Sequence, residues 1–315
     1  MNLLEAREEK RRNNIAVFAH YDKDDSIDEY VIFYLKQLKS ICKYLIFVSD
    51  SNLQSSELQK IESIVDYSLS KKHGEYDFGS YKRGIEFARQ KGLLQEADNL
   101  ILCNDSCYGP FYPLEQTMDE MNSRACDFWG ITKNVNIVER KAYPCKETNN
   151  KHVQSYFMVF KKQVLNSEAF KNFLESITAE AEKKSIIIKY EIGLCAQLCR
   201  AGFIFDTKFD KPIVYYNIAD LSEKNTKLFI FMKKETLRQI YFTKLFNNWF
   251  CKIKNQSSYS IKLIKENFLR NRDIKNIKLI TVKKCLLRLH LQERKIFVLG
   301  RWYDFSNANK ELKNV

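Results

Sequence analysis

The side chains best suited to chemistry lie in one stretch of the chain, from Tyr76 to Phe111. Within it, a basic segment punctuated by glycines precedes an apolar run, and that run ends in an Asn-Asp-Ser tripeptide. In open α/β sheets, ligands bind outside the carboxyl ends of the strands, so an acid after a buried strand is well placed to hold one. The stretch therefore predicts a nucleotide-type ligand site. Its polar candidates are Asp77, Gly79, Lys82, Arg83, Asn104, Asp105 and Ser106.

Two basic residues follow the first glycine, in a predicted helix over residues 79–91. Cations in a first helical turn gain nothing from the helix dipole. This favours Lys82 and Arg83 facing a phosphate over the alternative of a solvated helix face. Gly79 and Gly84 would allow the backbone to approach a ligand or a neighbouring element closely.

Acids at strand ends indicate how a nucleotide would be held. Asp50 follows a second apolar run and either accepts a hydrogen bond from a ribose hydroxyl or base N–H, or caps the next turn. Asp105 is flanked by Asn104 and Ser106, which leaves one carboxylate for a divalent cation. Because Mg²⁺ commonly uses one or two carboxylates with substrate phosphates, Mg²⁺ or Mn²⁺ at Asp105 stays open and would bind weakly without nucleotide.

A further acid, Glu191, separates the apolar run SIIIKY, predicted as a strand, from a predicted helix over residues 191–201. It could act as a general base, because an attacking hydroxyl must lose its proton. The alternative is an acid that pairs with the helix dipole.

A second group of polar and aromatic residues could line a pocket for an acceptor molecule. A tryptophan beside a glycine is typical of sugar-stacking walls, but also of ordinary cores, and the histidine could equally be structural. The candidates are Asp127, Trp129, His152 and Tyr156.

Short apolar runs alternate with helical patterns of about a dozen residues, which predicts βαβ units and a mainly parallel sheet. Turn and loop signals separate them. The predicted strands are residues 14–19, 43–48, 63–67, 99–103, 125–132, 152–161, 185–190 and 203–206; the predicted helices are residues 28–42, 56–63, 79–91, 113–121, 167–182 and 191–201.

The net charge of +13 is concentrated in the last third of the chain. Residues 221–315 hold 22 lysines and arginines against 7 aspartates and glutamates, a balance of +15. Such a region suits an anionic membrane surface or nucleic acid. Interleaved aromatics favour an interfacial amphipathic helix, with an ordinary helix that has a solvated face and a core side as the alternative. These aromatics are Phe229, Phe231, Tyr241, Phe242, Phe246, Trp249 and Phe250.

The nine cysteines include no CxxC pair, so we expect reduced core thiols and no cysteine-bound metal. No apolar run reaches the roughly 18 residues that a membrane span needs, and the charged amino terminus lacks an apolar signal core. We therefore expect a cytoplasmic protein, peripheral on the inner face of the cell membrane.

The order of Asp50, the segment Gly79–Gly84, the acidic strand end and Glu191 resembles the GT-A glycosyltransferase plan. The peptides YDFGSYKRG, NDSCYGPF, DFWGIT, SYFMVF and YEIGL resemble the rhamnan synthesis protein F family. The resemblance covers roughly residues 14–220. It implies an α/β, GT-A-like (Rossmann-related), mainly parallel sheet flanked by helices in residues 1–220, followed by a basic, mostly helical region in residues 221–315.

The resemblance also implies an activity: transfer of a sugar, first of all rhamnose from dTDP-rhamnose, to a lipid-linked saccharide acceptor in the synthesis of cell-surface polysaccharide or lipopolysaccharide. Asp50 and Asp77 would hold the nucleoside, Lys82 and Arg83 the base or diphosphate. Asp105 would stand for the metal-binding acid, and Glu191 for the base of an inverting reaction.

Two alternatives stay open. Because Asn104 and Ser106 replace acids, the protein could be an inactive relative that only binds a partner. A nucleic-acid-binding protein is disfavoured, since the basic residues lie outside the α/β part and no nucleic-acid motif is present. The sequence leaves the oligomeric state undetermined.

Overall fold

The structure is a computed structural model that describes residues 13–135, 151–180, 182–223, 225–238, 244–271, 295–298 and 301–304. These residues form two compact units. The first holds the chain up to Asp105 and from Pro113 to Asp210, and the second holds Ser106–Tyr112 and the chain from Lys211 onward. The division into domains at residue 220 stays a prediction.

The strands, in chain order, are β1 (Asn14–His20), β2 (Tyr44–Ser49), β3 (Tyr67–Ser70), β4 (Asn99–Asn104), β5 (Cys107–Tyr108), β6 (Phe128–Val135), β7 (Lys151–Val153), β8 (Phe157–Lys161), β9 (Phe205–Phe209), β10 (Met232–Lys233), β11 (Lys295–Val298) and β12 (Arg301–Asp304).

The α-helices are α1 (Glu29–Lys39), α2 (Ser55–Gln59), α3 (Tyr76–Gln90), α4 (Leu93–Glu96), α5 (Leu114–Asn122), α6 (Lys162–Leu165), α7 (Glu168–Ser176), α8 (Lys183–Ile186), α9 (Gly193–Arg200), α10 (Ile213–Ser222), α11 (Lys234–Arg238), α12 (Lys244–Gln256) and α13 (Ile261–Arg270). A π-helical segment, Ile187–Ile192, joins α8 to α9.

The first unit is built on an eight-stranded sheet of order β3-β2-β1-β4-β8-β6-β7, with β9 paired to β6. Neighbours from β3 to β4 are parallel, as are β6 and β9, while β8 runs antiparallel to both β4 and β6. All residues of β1 and β4 are buried, as expected for parallel strands covered on both faces. The predicted α/β architecture, a mainly parallel sheet flanked by helices, is confirmed.

Helix α3 lies directly against β1 and forms much of the core under the sheet. Its buried residues Phe78, Tyr81 and Ile85 recur at helical spacing and join β1 and β4 in one apolar cluster. A Cβ at Gly84 would lie 2.4 Å from Cγ1 of Val17, so only glycine allows this close approach.

Helix α3 begins earlier than predicted, at Tyr76, so Gly79 lies inside the helix rather than in a turn before it. Left-handed backbone at Gly74 (φ 70°) and Tyr76 (φ 55°) provides the sharp entry instead. Lys82 and Arg83 therefore lie in the second turn. The dipole argument for a first-turn position does not apply to them.

The predicted strand over residues 185–190 is wrong, because this segment is helical. Isoleucine favours strands intrinsically, but Ile186 and Tyr190 are buried four residues apart, the spacing at which helical side chains share a face. Packing decided the outcome. The predicted strand over residues 152–161 is two strands, β7 and β8, and the predicted strand over residues 63–67 lies later in the chain, as β3.

The second unit includes an antiparallel pair formed by β5 and β10, with Met232 opposite Tyr108. A hydrogen bond joins the Tyr108 hydroxyl to Asn267 of α13, and the rings of Phe111 and Trp249 meet edge to face at 5.8 Å. Strands β11 and β12 form a separate antiparallel pair.

Five aromatic side chains of the basic region are part of a core. Phe229, Phe231, Phe246, Trp249 and Phe250 are all buried, so their apolar faces point into the second unit and are not available to a lipid interface. Of the two alternatives, the helix with an ordinary core side is the one observed for these residues; Tyr241 and Phe242 lie outside the described residues. Among the described helices, none combines the length and apolarity that crossing a bilayer requires.

A buried ion pair joins two helices of this unit. Lys252 Nζ donates to Asp220 Oδ1 at 3.0 Å, and their side chains are 4% and 2% exposed. The Asp220 carboxylate also accepts the Phe229 backbone N–H, and Lys252 donates to the Thr226 hydroxyl. The pair thus connects α10, the following loop and α12.

Candidate functional site

Three predicted site residues meet at the carboxyl end of β4. Asn104, the last residue of the strand, donates from Nδ2 to Oδ2 of Asp77 at 2.8 Å, and Asp77 lies in the first turn of α3. Asp105 follows, with 8% of its surface exposed. The Tyr30 hydroxyl of α1 contacts both its backbone carbonyl, at 3.1 Å, and its Oδ2, at 3.4 Å. Strand β4 and the helices α1 and α3 therefore hold this cluster of polar residues at the carboxyl end of the strand.

Glu191 lies in the π-helical segment between α8 and α9. Such wide turns inside α-helices occur frequently at functional sites. Oε2 of Glu191 accepts the Ser155 hydroxyl at 3.1 Å, and Oε1 lies 3.4 Å from Nε2 of His152. Ser155 falls in the break between β7 and β8, so this break brings a hydroxyl to the carboxylate.

Tyr81 connects these two groups. Its hydroxyl donates to the Ser155 carbonyl at 3.0 Å. Burial raises the pKa of this phenol well above 10, and the negative charges of Asp77, Glu191 and Asp105 raise it further. The charges of three site carboxylates, Asp77, Asp105 and Glu191, thus act on one buried hydroxyl.

Asp50 organises the loop that leads into α3. Its Oδ1 accepts the backbone N–H groups of His73, at 2.6 Å, and Gly74, at 2.9 Å. Nδ1 of His73 accepts the Glu75 N–H, which leaves the ring proton on Nε2, facing Ser80 at 3.0 Å. Burial lowers the pKa of His73 and favours this neutral form. A role for Asp50 in nucleoside binding stays a prediction.

The two predicted phosphate ligands have protein partners. Arg83 makes a two-pronged bond to Glu75, at 2.7 and 3.2 Å, which lowers the pKa of Glu75 and raises that of Arg83. Lys82 donates to the Ile177 carbonyl at 3.0 Å. A Cβ at Gly79 would lie 2.3 Å from Cβ of Glu75, so the glycine makes room for this pair. Contact of Lys82 or Arg83 with phosphate stays a prediction and requires an exchange of partners.

Ser106 belongs to the second unit, where its carbonyl accepts the Lys234 N–H at 3.0 Å. Its predicted place beside the donor is not tested by this contact.

The four acceptor candidates occupy different places. His152 lies beside Glu191, and the Tyr156 hydroxyl bonds to Thr132 at 2.8 Å. Asp127 precedes β6, at the amino end of that strand, where it accepts the Ile204 N–H at 2.7 Å. Trp129 is fully buried and packs on Phe157. The structure thus brings His152 to Glu191 but does not bring Asp127 or Trp129 there, and their acceptor roles stay predictions.

Sequence reasoning missed two site residues, Tyr30 and Tyr81, and the contact of Ser155 with Glu191. The tyrosines occupy apolar helical positions, which signal core and conceal the hydroxyl at the ring's end. Ser155 lies beside His152 in a polar stretch that the sequence suggests could line an acceptor pocket. Its contact depends on the turn between β7 and β8, which the predicted single strand omitted.

The polar group offers a divalent cation a partial site. Within the described residues, no three His, Cys, Asp or Glu side chains converge as a metal cage. Asp105 offers one carboxylate, and Asp77, which is bonded to the neighbouring Asn104, could offer a second. Such a set suits a cation that takes one or two carboxylates and completes its coordination shell with water and phosphate. The residues fit a nucleotide-dependent cation better than a permanently bound one.

Comparison with known proteins identifies relatives. Residues 45–304 match the family model described as rhamnan synthesis protein F. The uncharacterized protein y4gN of Sinorhizobium fredii (strain NBRC 101917 / NGR234) is 23% identical over 175 residues, which is 56% of this chain and 43% of that protein. The virulence protein VirA of Vibrio anguillarum is 25% identical over 189 residues, covering 59% and 56%. The chain spans about half the length of the curated relatives it matches.

Solved structures with a similar chain path are more distant. The mannosyltransferase Ktr4p of S. cerevisiae in complex with GDP is 9% identical, with a TM-score of 0.37, covering 62% of this chain and 68% of that one. A cytidylyltransferase from Leptospira borgpetersenii is 14% identical, with a TM-score of 0.36, covering 84% and 96%.

The family match does not depend on these distant structures. It runs from the second residue of β2 to the last residue of β12 and includes both halves of the candidate site. The predicted resemblance is confirmed: the chain belongs to the rhamnan synthesis protein F family.

Proposed function

We propose that the protein is a glycosyltransferase that moves a sugar from a nucleotide-sugar donor to a hydroxyl of a saccharide acceptor. The observation that supports it is the bond between Asn104 and Asp77 beside Asp105 at the carboxyl end of β4, where α/β proteins bind ligands. The charges of Asp77, Asp105 and Glu191 also act together on the buried Tyr81 hydroxyl. Membership of the rhamnan synthesis protein F family supports a sugar substrate.

In the proposed reaction Glu191 is the general base. It takes the proton of the acceptor hydroxyl as the oxygen attacks the anomeric carbon from the face opposite the diphosphate. The new carbon–oxygen bond forms while the bond to the diphosphate breaks, and the nucleoside diphosphate leaves with the bonding electrons. The configuration at the anomeric carbon is inverted. The Ser155 hydroxyl holds one carboxylate oxygen, which orients the base.

The diphosphate would lie near Asp105. A Mg²⁺ or Mn²⁺ ion held there would neutralise charge on the leaving group. Lys82 and Arg83 would contribute positive charge if they exchanged Ile177 and Glu75 for phosphate. Asp50 and Asp77 are the proposed nucleoside ligands.

Rhamnose from dTDP-rhamnose is the proposed donor, because the family is named for rhamnan synthesis. The proposed acceptor is a lipid-linked saccharide of a growing surface polysaccharide or lipopolysaccharide, met at the cytoplasmic membrane surface. With Phe229, Phe231, Phe246, Trp249 and Phe250 buried, attraction to anionic lipid would rest on exposed lysines such as Lys254, Lys262 and Lys265.

A donor screen tests the proposal. Wild-type protein and Glu191→Gln are titrated calorimetrically with a panel of nucleotide sugars, and transfer is followed by mass spectrometry of a saccharide acceptor. We expect both proteins to bind one donor, and the variant to transfer far more slowly than the wild type. Binding without transfer by the wild type would favour an inactive binding protein, and retention of nucleic acid but not of nucleotide sugars would reject a transferase.

A further inference from the structure

His152 is an unusual residue for the place it occupies. Its imidazole is 1% exposed, and neither ring nitrogen has a hydrogen-bond partner among the described residues. Buried polar groups are almost always bonded, and an exception in a native fold calls for an explanation. The Glu191 carboxylate lies beside it, with Oε1 3.4 Å from Nε2, close enough for attraction but not aligned as a hydrogen bond.

The surroundings restrict how this contact could change. Strand β7, which carries His152, pairs with β6, and the Val153 N–H lies 3.2 Å from the Cys195 sulfur of α9. On the other side, Glu191 is held at Oε2 by Ser155, whose carbonyl is bonded to Tyr81. A small rotation of the Glu191 carboxylate about its held oxygen would align Oε1 with Nε2.

We propose that His152 is a positioning residue for Glu191. In this arrangement Nε2–H donates to Oε1, and together with Ser155 it fixes both oxygens of the carboxylate that takes the proton of the acceptor hydroxyl. The imidazole itself is too buried to contact the acceptor, so it acts through the carboxylate. The inference rests on the proposed function for its kinetic consequences, but the contact itself does not.

The kinetic test uses three variants. His152→Leu removes the donor group and keeps a similar volume, and His152→Gln keeps an N–H near the position of Nε2. Val153→Ala truncates a neighbouring buried side chain and leaves His152 and Glu191 unchanged. We expect His152→Leu to lower kcat about 10- to 100-fold, because residues that orient a directly acting group commonly have effects of this size. The acceptor KM should stay unchanged, His152→Gln should recover most of the rate, and Val153→Ala should retain it.

Combination with Glu191→Gln identifies the route of the effect. If His152 acts through Glu191, adding His152→Leu to Glu191→Gln should change the rate no further. A higher acceptor KM in both backgrounds would instead assign His152 to the acceptor pocket. If the rate of His152→Leu fell only as much as its fraction of folded protein, and Val153→Ala behaved in the same way, His152 would have a structural role alone. Either result overturns the proposal.

A spectroscopic readout works even if no transfer is found. The chain has four histidines, so ¹⁵N-histidine labelling gives few imidazole signals, and His152→Leu assigns one set. We expect Glu191→Gln to move the His152 Nε2 signal by more than Val153→Ala does. An unmoved signal would overturn the contact, whereas a moved signal in a protein without transferase activity would leave the contact intact and reject only the proposed function.

Discussion

The Ser155 hydroxyl bonds to one carboxylate oxygen of Glu191, and the His152 imidazole lies beside the other. Contacts at both oxygens keep a general base in one orientation. We expect Glu191→Gln to lower the transfer rate roughly 10²- to 10⁴-fold, because an amide cannot accept the acceptor's proton. Donor affinity and thermal stability should be near those of the wild type. Steady-state kinetics with calorimetry and thermal melting measure this, with the exposed Glu168→Gln as control. Normal turnover in the variant would leave the base unassigned.

Asp105 is the proposed ligand of a cation on the diphosphate. We expect Asp105→Asn to weaken nucleoside-diphosphate binding in the presence of Mg²⁺ or Mn²⁺, because the cation loses its charged ligand. Titration with and without EDTA measures it, and the exposed Asp24→Asn serves as the matched control. The same affinity for wild type and variant under both conditions would place the diphosphate elsewhere.

Asp220 gives the second unit a pH dependence. Burial raises the pKa of Asp220 from 3.8 to about 6, against the opposing pull of Lys252. The folded state therefore binds more protons than the unfolded state between these values, so this contribution to stability is present below pH 3.8 and is lost as the pH rises through about 6. Its size is on the order of 2–3 kcal/mol.

Denaturant unfolding from pH 4 to pH 7 measures this contribution. We expect the unfolding free energy of Asp220→Asn to fall less over that range than the wild type's, because the amide does not titrate. Glu235→Gln, an exposed change in the same unit, should keep the wild-type slope. Identical slopes for wild type and Asp220→Asn would contradict the assignment.

At the scale of elements, the packing of α3 on β1 leaves no room for an added methyl group at Gly84. We expect Gly84→Ala to destabilise the protein by about 1–3 kcal/mol, the usual cost of overpacking. Gly193→Ala is the matched control, because its Cβ would meet only the Ile188 carbonyl at 3.5 Å. Alanine there should be neutral, or stabilising by up to about 1 kcal/mol through helix propensity.

Thermal and denaturant melting of the two glycine variants compare them directly. An added Cβ at Gly84 would lie 2.4 Å from Cγ1 of Val17. If Gly84→Ala were nevertheless as stable as Gly193→Ala, α3 would have to pack less closely against β1 than this distance indicates.

The sequence predicted those elements whose local pattern and tertiary environment agree. Strands β1 and β4 are buried along their whole length, so an unbroken apolar run identified them and located Asp105 at a strand end. The prediction for the segment before Glu191 was wrong because its isoleucines favour a strand, whereas burial of Ile186 and Tyr190 on one face requires a helix. The contact of Ser155 with Glu191 depends on a strand break that carries no local signal, so no pattern of residue types could reveal it.

At the scale of the whole molecule, the basic surface of the second unit lies outside a packed core, so membrane attraction should be electrostatic. We expect Lys254→Gln, Lys262→Gln and Lys265→Gln together to weaken binding to anionic liposomes by up to about 3 kcal/mol, at about 1 kcal/mol each. Added salt should have the same effect.

Liposome co-sedimentation against salt concentration measures this binding. A matched triple variant in the first unit, Lys36→Gln, Lys71→Gln and Lys171→Gln, carries the same change in net charge on exposed positions and should bind as the wild type does. Equal losses in both triple variants would mean that net charge, and not the second unit, controls membrane attraction.

The pairing of β5 with β10 has a consequence for how the protein is made on the ribosome. Synthesis proceeds from the amino terminus, so residues 106–112 emerge more than a hundred residues before Met232, their partner in the same unit. Until then Tyr108 and Phe111, both buried in the finished fold, have no core to enter. A nascent chain paused in this interval exposes apolar surface in the middle of its sequence, the kind of segment that chaperones protect during translation.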